Sequence, residues 1–194
     1  MRCGFAARLV GRSRRVACIF GTIGTVMAVV VHVLRASAWS CLPAATGVAV
    51  REAGRDDWHA VQGVVSACRG EPGFAASLSA AGLGWNRPRS AVRVWLAERA
   101  DGGCVGAIGL VTHAVRGRSR WSMPFLLVSP GARRCGVATG LVRAALQAAA
   151  TAGVERVMAE TLTAWADASA FWCRMTMGLD TSSREGFDAG PSAG

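Results

Sequence analysis

Apolar and polar positions along this chain fall into two rhythms, period 2 and period 3.6, and their succession predicts an α/β order of elements. Val48 to Arg51 is a short strand pattern. Asp56-Asp57 then stands where a helix N-cap belongs, ahead of Trp58, Val61, Val64 and Val65 on one helical face. Val92 to Arg99 alternates as a half-buried strand, Asp101-Gly102-Gly103 signals a tight turn, and Cys104 to His113 returns as the partner strand. After the basic turn Arg116 to Arg120, a third strand pattern runs from Trp121 to Val128. Pro124 within it has no N–H for a ladder, so a bulge is expected there. The three strands read as an antiparallel meander.

The rhythm then lengthens. Leu141, Val142, Ala145 and Leu146 mark an amphipathic helix with Gly153 as its C-cap, Val154 to Leu162 reads as a strand, and Thr163 to Met177 as a helix burying Ala168, Phe171, Trp172 and Met175. Two stretches keep no period. Glu71 to Ser90 is rich in Gly, Ala, Pro and Ser, and Asp180 to Gly194 reads as a disordered tail.

The densest chemistry lies where strand meets helix, in LLVSPGARRCGVATGLVRAAL, residues 126 to 146. Val128 closes the strand, Pro130 cannot continue it, and Gly131 to Gly136 turns sharply into the helix. A helix start presents amides without intrahelical partners and the positive end of a dipole, and Arg133 and Arg134 add charge beside it. Such an arrangement suits a phosphate, and Gly136 keeps a side chain out of its path.

Composition narrows the partners. All 22 basic residues are Arg, there is no Tyr, and Asn86 is the lone Asn, a bias that points to GC-rich coding. Residues 1 to 47 hold six Arg and no acid, which leaves 16 Arg against 12 acids, a net +4, for residues 48 to 194. With no groove-reading helix, zinc pattern or aromatic-basic motif, nucleic acid is not an expected partner. Cys3, Cys18, Cys41, Cys68, Cys104, Cys135 and Cys173 are scattered singly and do not cluster with His32, His59 or His113. Reduced thiols and no metal site are expected.

Residues 1 to 47 form a basic and apolar N-terminal extension. The run from Val16 to Leu34, broken by Gly, Thr and His32 and followed by Ala36-Ser37-Ala38, fits an export signal, a membrane anchor of minimal length, or the product of a start codon placed too early. Positive-inside logic puts the domain of the first two readings across the membrane. A non-exported extension and a cytoplasmic location are expected instead, with membrane association through residues 16–34 as the alternative.

The order of parts resembles the GNAT superfamily of N-acetyltransferases, whose pyrophosphate loop reads R/Q-x-x-G-x-G/A. Arg133, Arg134, Cys135, Gly136, Val137 and Ala138 match it in full, the family's preceding V-x-P stands as Val128-Ser129-Pro130, and an apolar helix follows. The entry Val50-Arg51 with Asp56-Asp57-Trp58 is also similar. The resemblance implies an α/β fold with a mixed, mostly antiparallel central sheet flanked by helices, spanning residues 48–179, between the extension 1–47 and the tail 180–194. It implies acetyl-CoA as cosubstrate, held by the backbone of Leu126, Leu127 and Val128 and by the loop and helix start from Arg133, Arg134, Cys135, Gly136, Val137 and Ala138 to Thr139. A strand amide there would stabilise the oxyanion formed from the thioester. The variable segment 71–90 would shape the acceptor pocket, with Trp85 and Arg87 as lining or as an ordinary ring and a solvated charge.

Departures from the family pattern fall in the last helix. The family's N-x-x-A-x-x-F-Y stands here as Trp165, Ala168, Phe171 and Trp172, and Gly178-Leu179 comes two residues late. Trp172 cannot protonate a leaving thiolate as a phenol does. Glu160, five positions before Trp165, stands where the ribosomal-protein-alanine acetyltransferases of this superfamily place a catalytic Glu, which makes it a possible general base. As a strand-end acid it equally suits a solvated surface, and Glu98 and His113 are weaker candidates. The function expected is transfer of an acetyl group from acetyl-CoA to an amine, on a small molecule or a protein N-terminus, by direct attack in a ternary complex. A non-catalytic acyl-CoA-binding module and a membrane-attached interaction protein are the alternatives.

Overall fold

A computed structural model gives the fold and describes residues 14–16, 29–69, 92–115, 118–162 and 165–185. The chain divides into two compact units, one from Leu34 to Glu160 and one made of both chain ends, 1–33 with 161–194.

In the larger unit the strands are β3 (Ala49–Glu52), β4 (Val92–Glu98), β5 (Cys104–Val115), β6 (Arg118–Met123), β7 (Leu126–Val128) and β8 (Arg156–Leu162), numbered after two strands nearer the N-terminus. The order across the sheet is β8-β6-β5-β4-β3, with β7 also on β5. All these pairings are antiparallel except β6 with β8, which run parallel from Trp121↔Val157 to Met123↔Ala159. The sheet is therefore mixed and mostly antiparallel, as the sequence implied.

Helices cover both faces. Helix α1 (Trp58–Ala67) buries Val61 and Val64 into a cluster with Val94, Leu96, Ala107 and Phe125. Helix α2 (Val137–Thr151) repeats buried residues at Val137, Leu141, Val142, Ala145, Leu146 and Ala149, a stripe at helical period on an Ala-rich and therefore strongly helix-forming sequence. Each fully buried Leu or Val on this stripe contributes about 1.5 to 3 kcal/mol. Gly153 ends α2 as expected: its N–H donates to Ala150 O at 2.9 Å and that of Val154 to Ala149 O at 3.0 Å, the paired bonds of a Schellman cap.

Three expectations change in detail. Val94, Trp95, Leu96 and Ala97 are all buried, so β4 is covered on both faces and is not half-buried. Asp57 does not cap α1. Its carboxylate accepts from Gly54 N–H at 2.7 Å and from both terminal nitrogens of Arg51 at 2.7 Å, and Arg51 also reaches Glu98 at 2.6 Å. The Arg51 hydrogen bonds hold the Asp57 carboxyl down at about 2. The strand pattern from Trp121 to Val128 is two strands. Pairs Val111↔Ser122 and Ile108↔Leu126 place three steps on β5 against four on the other side, so one extra residue is inserted around Pro124-Phe125. That is the expected bulge. Its room comes from Gly109, where a Cβ would lie 2.5 Å from the Phe125 ring.

Upstream of residue 48, Ala36–Cys41 forms a 3₁₀ turn with Ala36 and Ala38 buried, and Ala36 N–H donates to Glu155 O at 2.9 Å. The Arg143 guanidinium of α2 lies 5.7 Å from the Trp39 ring centre.

In the smaller unit β1 (Arg14–Val16) pairs antiparallel with β2 (Val29–Arg35). Part of the apolar run, for which signal, anchor and misplaced start were the readings, is a strand, and residues 17–28 lie outside the described ones. Among the described residues no helix is long and apolar enough to cross a membrane. Helix α3 (Ala166–Glu185) extends past Met177 into the expected tail, of which residues 186–194 lie outside the described ones. Trp172 is buried, stacked on fully buried His32 at 6.2 Å between ring centres and met edge-on by Phe171 at 5.1 Å. Neither His32 nitrogen has a hydrogen-bond partner, and burial lowers its pKa.

Candidate functional site

The bulge decides which way the β7 backbone faces. Ser129 N–H donates to Val105 O at 2.9 Å and Gly109 N–H to Phe125 O at 3.1 Å, so positions 125 and 129 turn their polar groups toward β5. By the alternation of an antiparallel ladder, Leu126 and Val128 turn theirs the other way. On that side β8 pairs with β6 only as far as Met123. Beyond that point no strand among the described residues pairs with this edge of β7.

The loop after β7 is shaped by hydrogen bonds to its own backbone. Pro130–Ala132 makes one 3₁₀ turn, with Ala132 N–H donating to Ser129 O at 2.9 Å. Arg134 at φ 64° and Gly136 at φ 76° are both left-handed, a conformation that turns successive amides toward one concavity. A Cβ on Gly136 would meet nothing within 4 Å. The glycine is there for its backbone angle, and the space above it opens outward.

Helix α2 begins directly after Gly136, with Gly140 N–H donating to Gly136 O as the first helical bond. The amides of Val137, Ala138 and Thr139 precede that bond, no side chain caps them, and the first turn has no acid. Three donors and a positive dipole end thus face the same side as the loop. Arg133, Arg134 and Cys135 are exposed around them. Arg133 Nε donates inward to Val128 O at 3.2 Å, and the Cys135 thiol to Arg133 O at 3.4 Å. This donor set fits a diphosphate: it has amides, basic side chains and no carboxylate in the first turn.

The remaining candidates separate. Glu160 is exposed on β8, one residue past the last β6–β8 pair and opposite in direction to buried Val157 and Ala159. Both carboxylate oxygens of Glu98 accept from Arg51, at 2.6 and 2.9 Å. The side chain of His113, and Trp85 and Arg87, lie outside the described residues. Trp165 is half-buried. Among the described residues no group of His, Cys, Asp and Glu could hold a metal ion, and Cys41, Cys68, Cys104, Cys135 and Cys173 form no disulfide.

A groove of about 440 Å³ between β3, β4 and α2 is lined by Arg51, Glu52, Arg93 and Trp95 but by no residue of the loop. Its charges are spent on each other, since Arg93 pairs with Glu52 at 2.7 Å and Arg51 with Asp57 and Glu98. Sequence reading missed one residue near the β7 edge. Cys68, buried just past α1, donates its thiol to Val128 O at 3.6 Å, and nothing local in the sequence signals a contact across sixty positions.

The model of the acetyltransferase (GNAT) family matches residues 58–177. A search of curated proteins gives no match. Among solved structures the chain is similar to a functionally unknown conserved protein from Staphylococcus epidermidis, at TM-score 0.54 and 12% identity over 71% of this chain and 52% of that one. The chain thus spans about half the length of that protein. It is also similar to an aminoglycoside acetyltransferase from an uncultured soil metagenomic sample, at TM-score 0.53 and 15% identity over 66% of this chain and 87% of that one. A third similarity is to AAC(6')-Iy in complex with the bisubstrate analogue CoA-S-monomethyl-acetylneamine, at TM-score 0.52 and 18% identity over 66% and 88%. At these identities the structures speak for the fold.

Proposed function

The chain belongs to the acetyltransferase (GNAT) family, and from that premise we propose that it transfers an acetyl group from acetyl-CoA to an amine by direct attack in a ternary complex. The observation that carries the reading is the juxtaposition of an open β7 edge with an uncapped α2 start, joined by a loop with two left-handed residues.

Each part has a task. The amides of Val137, Ala138 and Thr139, with Arg133 and Arg134 beside them, bind the diphosphate. Leu126 and Val128 turn polar backbone groups outward along the strand edge, where an extended amide-bearing arm pairs as a further strand would. An outward N–H there also donates to the thioester carbonyl oxygen as negative charge develops on it. When bound, acetyl-CoA supplies the activated acyl group. Holding it and the amine together provides most of the acceleration. Glu160 takes the amine proton, directly or through water. Trp172 has no acidic proton to give, so the leaving thiolate takes its proton from solvent or from the acceptor.

The acceptor in this reading is an amine on a small molecule or a peptide N-terminus. Two of the similar structures are named for aminoglycoside acetyltransfer or hold a CoA–acetylneamine analogue, which supports a small-molecule amine as the first class to try. The reading carries a cytoplasmic location with it, since the cosubstrate is there. Trp165 and Trp172 at the two departing positions favour one second reading, an acyl-CoA-binding module without turnover.

The test is acetyl-CoA binding by calorimetry, with free-thiol release followed over a panel of aminoglycosides, polyamines and peptides. Binding with acceptor-dependent release supports transfer. Binding without release for any acceptor supports the module, and absence of binding overturns both.

A further inference from the structure

Val128 O is the acceptor of two side-chain donors from different parts of the chain. Cys68, which follows α1, donates its thiol at 3.6 Å, and Arg133, in the loop, donates Nε at 3.2 Å. Cys68 is 2% exposed, and helix α1 itself packs on the β5 face around Phe125. A carbonyl oxygen has two lone pairs, and here both are taken.

This matters because of where Val128 points. Its N–H and C=O both face the open edge of β7, as do those of Leu126, so four polar groups line that edge. The Cys68 and Arg133 contacts close one of the four. What remains for an incoming arm is the N–H and C=O of Leu126 and the N–H of Val128. On the acetyl-CoA reading, on which this inference rests, closing one acceptor fixes the register in which the arm pairs, because a shifted arm would bring a donor against an occupied carbonyl. We infer that Cys68 is a positioning residue: it holds the Val128 carbonyl with Arg133, so that the β7 edge presents a single pairing register to the cosubstrate.

The test compares wild type, Cys68→Ser and Cys68→Ala in the full chain, by thermal melting, acetyl-CoA calorimetry and steady-state kinetics. Serine keeps a donor and alanine does not. Cys68→Ala is expected to weaken acetyl-CoA affinity roughly five- to tenfold by loosening an edge that is otherwise held ready for the arm, with a rise in KM for acetyl-CoA larger than any fall in kcat, and Cys68→Ser to restore most of the affinity. If the alanine variant fails to fold, Cys68→Val fills the volume without a donor and takes its place. Unchanged affinity in the donor-free variant, or equal loss in the donor-free variant and in Cys68→Ser, overturns the inference and leaves Cys68 as packing. Failure of wild type itself to bind acetyl-CoA strikes the functional reading instead, and a wild type that binds separates the two.

Discussion

The cradle from Val128 to Thr139 and the packed chain ends around His32 and Trp172 are built by opposite means. The cradle is one contiguous stretch whose working groups are backbone amides, aimed by two left-handed residues and an uncapped helix. The chain ends are held by side chains from opposite extremes of the sequence, an imidazole against an indole, with no hydrogen bond to either imidazole nitrogen. On the proposed function the first region concentrates ligand chemistry and the second concentrates stability. Substitutions should divide along the same line.

The largest effect belongs to Gly136→Glu. A carboxylate placed above the amides, where no atom now stands within 4 Å, should abolish acetyl-CoA binding in calorimetry. Its folding cost should stay near the about 1 to 2 kcal/mol that an L residue incurs in left-handed backbone. Gly136→Ala shares that strain without the charge, so retained binding in it would assign the loss to the carboxylate. Unchanged affinity in Gly136→Glu sinks the cradle.

Next comes Trp172→Ala. Removing a buried indole should cost about 3 to 5 kcal/mol in a denaturant melt, while any molecules still folded bind acetyl-CoA as before. A stable variant that has lost binding would erase the division between the two regions. Glu160→Gln should lower the rate at subsaturating acceptor roughly 100-fold near neutral pH with acetyl-CoA affinity unchanged. Equal rates across the pH range would return Glu160 to a solvated strand end.

A smaller effect is tied to acid. Burial lowers the His32 pKa below its ordinary 6.5, so the folded state holds fewer protons than the unfolded one. Stability is then full above about pH 6.5 and falls as pH drops, which should appear as a lower melting temperature at about pH 5 than at about pH 7.5. His32→Phe should flatten that slope. Asp57, with its carboxyl held at about 2, contributes stability that is full above its ordinary 3.8 and is lost only as pH falls below that value, so the two windows are separable. The smallest effect is Arg143→Ala, which loses a contact with the Trp39 ring and about 0.5 to 1 kcal/mol, with no change in acetyl-CoA affinity.

The same contrast explains what the sequence revealed. The loop, the start and stop of α2 and the bulge at Pro124 were all legible, because each is set by residues within a few positions of one another. Gly153 and Pro124 act through their own backbone, wherever the rest of the chain lies. The strand at Val29–Arg35 was not foreseen in the apolar run, because such a run carries no sign of whether a sheet or a lipid covers it. Asp57 was given to the helix and belongs to Arg51, and Cys68 was passed over. Both depend on partners that only the fold brings near.

The Phe125 ring and the empty position at Gly109 have a consequence for how this sequence can drift. The two residues hold one volume between them: the ring lies where a side chain at 109 would stand, with 2.5 Å left to a Cβ. Enlarging 109 first overfills the site, and shrinking 125 first leaves a void under α1, so either single step is penalised while the paired exchange is not. Descendants of this gene that alter one position without the other should be rare, and the bulge that opens the strand edge persists with the pair.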